Sequence, residues 1–332
     1  MSAEIITINK TKAVAKRRSG GIIVPPIVAN EGEATCKRFV EFFTATIRNR
    51  NTRQAYARAI GQFMAWCESH HLALKSIEPV HVAAYIEKLT GEREPQTVKQ
   101  SLAAIRMLFD WLVTGQCAPH NPASSVRGPR YSYKKGKTPI LDEDGMQRLL
   151  SGIDTSDVTG LRDRALIALM YYTFGRVSAI VALDLKDYYL RGKKHFIALK
   201  EKGGKHHEVP LHHKALEYLD AYLEAAGLSG LKDAPLFRSS KGKAKEKTLS
   251  ENRMSRVDAW KMIKRRALRA GIKEDISPHS FRGTGITLYL ENGGSLEHAQ
   301  AIADHASPRT TKLYDRTGDQ LSLDEIERIP SL

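Results

Sequence analysis

A tyrosine, two histidines and an arginine lie close together near the C-terminal end of the chain. His279 and Arg282 form a His-x-x-Arg pair. His305 follows downstream, and Tyr314 comes nine residues after it. A phenol has an ordinary pKa of about 10, so it attacks phosphorus only beside a base that takes its proton and cations that neutralise the phosphate. These residue types supply that set, which could cut and rejoin a phosphodiester without a metal ion.

The first histidine lies where a helix should begin. Ser277 suits the N-cap and Pro278 the first helical position, which places His279 in the first turn. There, exposed backbone N–H groups and the helix dipole attract phosphate and favour a neutral imidazole. Arg282 lies three residues on, on the same face, and its planar guanidinium can donate two parallel hydrogen bonds to phosphate oxygens. The alternative is a histidine that caps its helix and an arginine at the surface.

The tyrosine follows a second helix start of the same kind. Ser307 and Pro308 predict a short helix that carries Tyr314 on its second turn. The chain has twelve tyrosines, and an isolated tyrosine is usually a core or surface residue. The nearby histidines and arginine are therefore what favours a nucleophile at this position.

The charge of the chain points to a polyanion as partner. Its 332 residues carry 52 Lys and Arg against 37 Asp and Glu, a net charge of +15. Basic residues are concentrated in 119–137 and 253–269, where a DNA footprint competes with the alternative of a solvated face. The candidate DNA-contacting residues from these and a lysine-rich segment are Arg127, Arg130, Lys134, Lys135, Lys241, Lys243, Arg253 and Arg256.

Cysteine usage and hydropathy predict a cytoplasmic protein. Cys36, Cys67 and Cys117 are odd in number and widely spaced, which indicates neither a disulfide framework nor a zinc site. The apolar stretch at 22–29 contains two prolines and is too short to span a bilayer, and no signal-peptide cleavage pattern follows it. We therefore expect no membrane partner.

The chain is long enough for two domains, and its patterns predict their order. Residues 1–32 are basic and without a period, which predicts a flexible N-terminal arm. Apolar stripes over 33–118 predict a domain of about four helices. A basic segment rich in proline and glycine, 119–138, predicts an interdomain linker, and 139–332 forms the second domain with a tail from about 318.

The second domain combines helices with a small sheet. An apolar helix is predicted from about Leu161 to Phe174, capped by Gly175. Short β-rich runs over 187–211 predict three antiparallel strands, and 229–250 is predicted to be a loop rich in glycine, serine and lysine. The fold class is therefore mainly α with a small antiparallel β-sheet.

Other chemistries lack their motifs. The sequence has no nucleotide-binding Gly-x-x-x-x-Gly-Lys loop and no His-Glu-x-x-His zinc motif. The doublets His70–His71, His206–His207 and His212–His213 lack the partners of a metal site, so we interpret them as surface or DNA-facing residues. No cofactor and no metal ion are expected.

The C-terminal motifs resemble the signature of the tyrosine recombinases, the phage integrase family that includes the Xer and Cre proteins. The Gly-Arg-Val-Ser run around Arg176 resembles the motif of the family's first catalytic arginine. Lys202, beside a Gly-Gly turn, resembles the lysine of its β2–β3 hairpin, with Lys205 as the alternative. The helical N-terminal region resembles the family's core-binding (SAM-like) domain, which would precede a C-terminal α+β catalytic domain. The resemblance spans about 34–328.

The resemblance implies a six-residue catalytic site. Arg176, Arg282 and His305 would bind the non-bridging phosphate oxygens and neutralise the transition state. Phosphoryl transfer of this kind would need neither ATP nor metal. The implied catalytic residues are Arg176, Lys202, His279, Arg282, His305 and Tyr314.

The other three residues would transfer protons and form the covalent bond. Tyr314 would attack in line and form a 3′-phosphotyrosyl link, while His279 would accept the phenol proton. Lys202 would protonate the leaving 5′-oxygen. The implied function is a site-specific recombinase or integrase of a mobile genetic element. It would act as a homo-tetramer on two double-stranded recombination sites through a Holliday junction, and a need for accessory proteins is left open.

Two other functions remain open, and two departures from the family pattern bear on them. Ala179 replaces a common acidic residue after the first arginine, and Asp304 replaces a common glycine before His305. Such changes would fit a catalytically inactive DNA-binding protein of the same fold, although all six catalytic positions are filled. A type IB topoisomerase-like activity is the second alternative. The two-domain layout and the chain after Tyr314 favour a recombinase.

The tail after the tyrosine carries an apolar pattern. Leu321, Ile326 and Ile329 could form one face of a short helix. The resemblance implies a segment that docks on a neighbouring subunit. The alternative is a helix that packs on its own domain, and the sequence does not separate the two.

Overall fold

The computed structural model describes residues 22–130, 138–200, 206–228, 230–242 and 248–315. The chain divides into two compact units, one spanning Met1–Ser132 and the other Tyr133–Leu332. Each unit encloses its own hydrophobic core. In the described part of the chain, no helix combines the length and apolarity that crossing a bilayer requires.

The first unit is helical, as its apolar stripes predict. Prolines begin its last two helices, because their fixed φ suits the first turn and their missing N–H would have no partner there. A π-helical segment, Phe42–Thr46, continues the second helix. The helices are α1 (Pro26–Ala29), α2 (Glu33–Glu41), α3 (Arg50–Ser69), α4 (Pro79–Glu92) and α5 (Pro95–Thr114).

Aromatic rings fill the core of this unit. Phe39 and Phe43 meet edge to face with their ring centroids 5.3 Å apart, and Phe63 meets Tyr85 in the same way at 5.1 Å. Phe109 of α5 closes the cluster against Phe63. Edge-to-face pairs match the positive edge of one ring to the negative face of the other, so they orient the helices as well as bury area.

Two predicted boundaries of this unit were wrong. Residues 22–32 do not all belong to a flexible arm, because Ile27 and Val28 of α1 are buried in the core. The first part of the predicted linker also packs on the unit: Ala123 and Val126 are buried, and their carbonyl oxygens accept hydrogen bonds from the Arg106 guanidinium. Residues 1–21 and 131–137 lie outside the described residues.

The second unit packs helices around one buried helix, α7. The helices are α6 (Glu143–Ser151), α7 (Val158–Tyr172), α8 (Val177–Ile180), α9 (His213–Ala225), α10 (Arg256–Arg269), α11 (Pro278–Glu291), α12 (Leu296–Ala303) and α13 (Pro308–Lys312). A buried carboxylate ties α7 to α10, since Asp163 accepts hydrogen bonds from both Arg162 and Arg266. This arrangement fixes the N-terminal half of α7 against α10.

A three-stranded antiparallel sheet lies in the second unit, as predicted. Its strands are β1 (Tyr188–Arg191), β2 (Lys194–Lys200) and β3 (His206–Pro210), in the order β1-β2-β3. Ile197 of β2 pairs with Tyr188 on one side and with Val209 on the other. The cross-strand partners Ile197 and Val209 are both buried, which fixes the register of β2 and β3.

A second hairpin was not predicted. Strands β4 (Arg238–Lys241) and β5 (Thr248–Arg253) pair antiparallel within the segment assigned to a loop. Ser239 and Ser250 hydrogen-bond across the pair at 2.7 Å. These strands carry serine, lysine and arginine instead of an apolar alternation, so their pairing left no periodic signal in the sequence.

Candidate active site

Helix α11 carries the His-x-x-Arg pair. The backbone N–H of the N-cap Ser277 donates to the Ser280 hydroxyl at 3.0 Å, and His279 lies in the first turn as predicted. Arg282 is only 1% exposed, so it is not a surface residue. Its guanidinium donates hydrogen bonds to the backbone carbonyl oxygens of Phe174 and Ala303. One buried side chain therefore joins the end of α7, the middle of α11 and the end of α12.

The carbonyl of Phe174 faces the arginine because of a sharp turn after α7. Phe174 has a φ of +51°, so the left-handed residue is this phenylalanine and not the predicted cap, Gly175. A Cβ on Gly175 would lie 2.8 Å from Cδ1 of Ile180, so a larger residue at this position would force the Ile180 side chain to move. Arg176 then forms the N-cap of α8. The turn places the candidate first arginine directly beside the anchored segment.

A second left-handed residue ends α12. Asp304 has φ +45° and ψ +49°, a conformation that aspartate adopts more readily than most residues with a side chain. The substitution of aspartate for the family's common glycine therefore keeps the turn. The N–H of His305 donates to the carbonyl of Gln300 at 3.1 Å, and His305 Nδ1 lies 2.8 Å from the Thr311 hydroxyl. These contacts fix the imidazole.

The tyrosine lies beyond the end of α13. Its N–H donates to the carbonyl of Thr311 at 2.9 Å, three residues back, so Tyr314 occupies the closing turn and the predicted second helical turn was wrong. Tyr314 Oη lies 2.9 Å from His279 Nε2. The Tyr314 ring lies parallel to the His305 ring, with 6.2 Å between centroids. The candidate nucleophile and the candidate base are therefore at hydrogen-bonding distance.

Two residues that the sequence did not single out hold the tyrosine. The Thr287 hydroxyl donates to the carbonyl oxygen of Tyr314 at 3.0 Å. A Cβ on Gly283 would lie 3.2 Å from Cε1 of Tyr314 and 3.0 Å from Cγ2 of Ile140, so the absence of a side chain lets the ring lie against α11. Glycine inside a helix usually has a packing reason, and that signal could have identified Gly283.

Burial and positive charge set the protonation states of the site. Burial, with smaller contributions from Arg282 and Arg176, lowers the pKa of His279 and lowers the pKa of His305 to about 3. Burial raises the pKa of Tyr314, and the two arginines oppose that rise. At neutral pH the site therefore holds two neutral imidazoles, a protonated phenol and guanidinium charge that favours an incoming phosphate.

The remaining predicted site residues differ in whether the structure describes them and in what they contact. Lys202 and Lys205 lie outside the described residues, as do Lys134, Lys135 and Lys243. The DNA-contact candidates that are exposed without a described structural task are Arg127, Arg130, Lys241 and Arg256. Arg253 is different, because its guanidinium bonds to Asp184 and to the carbonyls of Val181 and Leu183. Ala179 is buried in α8, where its N–H donates to the carbonyl of Arg176.

Comparison with known protein families identifies the family to which the chain belongs. Residues 139–320 match the Phage integrase family, and residues 36–117 match the phage integrase N-terminal SAM-like domain. The chain belongs to the phage integrase family. The resemblance to the tyrosine recombinases, and with it the predicted enzyme class and the mainly helical fold class, is confirmed.

Relatives of this integrase-family chain cover most of its length. Tyrosine recombinase XerD of Listeria innocua serovar 6a is 29% identical over 269 residues, which are 80% of this chain and 87% of the relative. The XerD protein of Staphylococcus aureus strain Mu50 has the same identity and coverage. The structures of XerH bound to a difH substrate and of a lambda integrase tetramer bound to a Holliday junction each align with a TM-score of 0.65.

The two structural matches are distant in sequence. XerH is 22% identical, and the alignment covers 91% of this chain and 85% of that one. Lambda integrase is 17% identical, with 86% and 79% covered. These similarities show that the fold is shared.

The left-handed turn at Asp304 predicts a graded response to substitution. Asp304→Gly should stay within about 1 kcal/mol of wild type, because glycine accepts positive φ but loses more chain entropy. Asp304→Val should lose about 1 to 3 kcal/mol, because a β-branched side chain is strained there. Calorimetry of the unfolding transition of the second unit measures both. Equal stability of the Gly and Val variants would mean that the turn is not left-handed.

The burial of His305 predicts an imidazole that stays neutral well below pH 6.5. The protein would be labelled with carbon-13 at histidine Cε1 and studied by NMR. The His305 signal is the one that is missing from the spectrum of His305→Gln, and its chemical shift would be followed as pH changes. That signal should keep its neutral position from pH 8 to 5, while free imidazole added to the sample serves as the internal control. Since the unfolded chain binds this proton more readily, the folded state should lose stability as pH falls from about 6.5 towards 3. Titration with a midpoint near 6.5 would contradict the described burial.

Proposed function

We propose that this chain is a site-specific DNA recombinase that cuts and rejoins duplex DNA through a 3′-phosphotyrosyl intermediate. The observation that carries the proposal is the 2.9 Å contact between Tyr314 Oη and His279 Nε2 beside the buried Arg282 guanidinium. A phenol aligned with a neutral imidazole next to fixed positive charge is the arrangement that attack on a phosphodiester requires.

The residues divide the reaction between them. Arg176, Arg282 and His305 bind the non-bridging oxygens of the scissile phosphate. The phenol proton moves to His279 as the Tyr314 oxygen bonds to phosphorus, and the bond from phosphorus to the 5′-oxygen breaks. The new phosphotyrosyl diester replaces the phosphodiester bond that was lost, so a 5′-hydroxyl can reverse the step without an added energy source.

Protonation of the leaving 5′-oxygen is assigned to Lys202. The residue lies outside the described segments, and the strands that precede and follow it, β2 and β3, pair as predicted. The assignment rests on the resemblance of Lys202 to the lysine of the family motif, and Lys205 is the alternative. A lysine ammonium group is a competent general acid for an alkoxide leaving group.

Charge on the surface supports a DNA substrate. The net charge of +15 is accompanied by outward-facing basic residues on α10, where Arg256, Lys261, Arg265 and Arg269 are exposed. Neutralising phosphates releases counterions, so we expect affinity to fall steeply with salt. Free, buried cysteines fit the expected reducing cytoplasm.

Assembly as a homo-tetramer on two recombination sites, through a Holliday junction, is part of the proposal. Its support is the shared fold with lambda integrase, which was solved as a tetramer on a Holliday junction. Phage integration, transposition and dimer resolution are all compatible with this chemistry.

The proposal predicts covalent trapping on a selected DNA site. Selection of bound duplexes from a random-sequence library should enrich an inverted repeat, and a nicked duplex with that repeat should trap wild type as a covalent adduct. Tyr314→Phe should bind the same duplex and form no adduct, because it keeps the ring and lacks the oxygen that attacks. Denaturing gel electrophoresis separates adduct from free protein.

The outcomes distinguish the open alternatives. Enrichment of a repeat without any wild-type adduct would indicate a DNA-binding protein that has lost catalysis. Relaxation of supercoiled plasmid lacking the repeat, with no site preference, would indicate a topoisomerase-like activity. An adduct that persists in Tyr314→Phe would mean that another residue is the nucleophile.

A further inference from the structure

The C-terminal end of α12 receives two hydrogen bonds from side chains of other elements. The last four carbonyl groups of any α-helix have no partner within it. In α12 the first two of the four accept from backbone N–H groups of the turn that follows. The carbonyl of Ile302 accepts from His207 Nε2 at 2.9 Å, and the carbonyl of Ala303 accepts from the Arg282 guanidinium. A histidine and the buried arginine thus bind neighbouring carbonyls.

His207 belongs to β3 and points inward. It pairs with Leu199 of β2, and it shares the inner face of the strand with the buried Val209. His206 and Glu208 alternate to the other face and are exposed. The interpretation of the His206–His207 doublet as surface or DNA-facing residues is therefore wrong for His207, which is half-buried and bonded to α12.

The end of α12 contacts two hydrophobic clusters of the second unit. Ile302 packs against the main hydrophobic cluster of the second unit and also against the small cluster that contains Tyr314. The negative end of the helix dipole strengthens donors placed at its terminal carbonyls. A fixed donor there holds the position of Ala303, whose carbonyl binds Arg282, and of the turn that presents His305.

We propose that His207 is a positioning residue for the phosphate cradle formed by Arg282 and His305. It acts through the carbonyl oxygen of Ile302, and it does so with a proton on Nε2, because only an N–H can donate to that oxygen. The inference rests on the proposed function. Small displacements of groups around a reacting phosphate cost large factors in rate, so one hydrogen bond outside the cradle can control its activity.

Three variants isolate the hydrogen bond. His207→Phe keeps a ring of similar size and removes the donor. His207→Gln keeps an amide N–H near the position of Nε2. His298→Phe is the matched control, because His298 is an exposed histidine on α12 itself. Single-turnover cleavage would be measured for each on the nicked duplex obtained by site selection.

Three forms of the scissile linkage separate the cradle from the leaving group. The ordinary phosphodiester needs both charge neutralisation and protonation of the 5′-oxygen. A methylphosphonate is uncharged, so its cleavage depends less on charge neutralisation by the phosphate cradle. A 5′-phosphorothiolate releases a thiolate, which leaves without a general acid. The ratio of wild-type to variant rate on each linkage therefore reports which function the variant has lost.

We expect His207→Phe to cleave the phosphodiester about 10- to 100-fold more slowly than wild type, with unchanged DNA affinity. The deficit should persist on the phosphorothiolate and shrink to less than about threefold on the methylphosphonate. The cleavage rate of His207→Gln should lie within about threefold of the wild-type rate. The cleavage rate of His298→Phe should equal the wild-type rate.

Other patterns would overturn the inference. A wild-type rate in His207→Phe, or an equal deficit on all three linkages, would show that the contact has no specific effect on the cradle. A deficit that vanishes only on the phosphorothiolate would show that His207 acts on protonation of the leaving group. No adduct from wild type would overturn the proposed function itself, a result distinct from wild-type cleavage with an unaffected variant.

Discussion

The structure of the catalytic unit depends on the hydrogen bonds that the buried Arg282 guanidinium donates. Placing a cation where water cannot reach it costs free energy, and the cost is offset only by well-aligned acceptors. Here the carbonyl oxygens of Phe174 and Ala303 accept its hydrogen bonds. Satisfying one side chain thus brings together three segments that are far apart in sequence. Arg176 follows the first carbonyl by two residues, and His305 follows the second by two.

The same positive charge sets the chemistry of the resting site. Burial and the two arginines disfavour imidazolium, so His279 is ready to accept a proton. Burial keeps the Tyr314 phenol protonated. A bound phosphate brings negative charge next to these groups and opposes the effect of the arginines on the histidines. We therefore expect the pKa of His279 to rise when a phosphate binds.

Local signals in the sequence predicted part of this structure. The Ser-Pro pairs located the starts of α11 and α13, and short β-rich runs separated by glycine-containing turns located the three-stranded sheet. The residue types near Tyr314 predicted a candidate catalytic set, and the structure brings His279 and His305 close to Tyr314. What local signals missed depends on distant contacts. The Arg282 hydrogen bond to the turn at Phe174 and the donation from His207 each join residues that are about a hundred positions apart. The pairing of β4 with β5 spans fewer residues, but these polar strands carry no apolar alternation.

Hydrogen–deuterium exchange measures whether Arg282 holds the turns at Phe174 and Asp304 in place. Arg282→Met replaces the guanidinium with an apolar chain of similar length. Exchange would be compared by mass spectrometry with wild type in the absence of DNA. We expect peptides covering 173–180 and 300–306 to exchange faster together, while β1 and β2 keep their wild-type protection. Unchanged exchange in either segment, or a uniform rise across the second unit, would contradict this expectation.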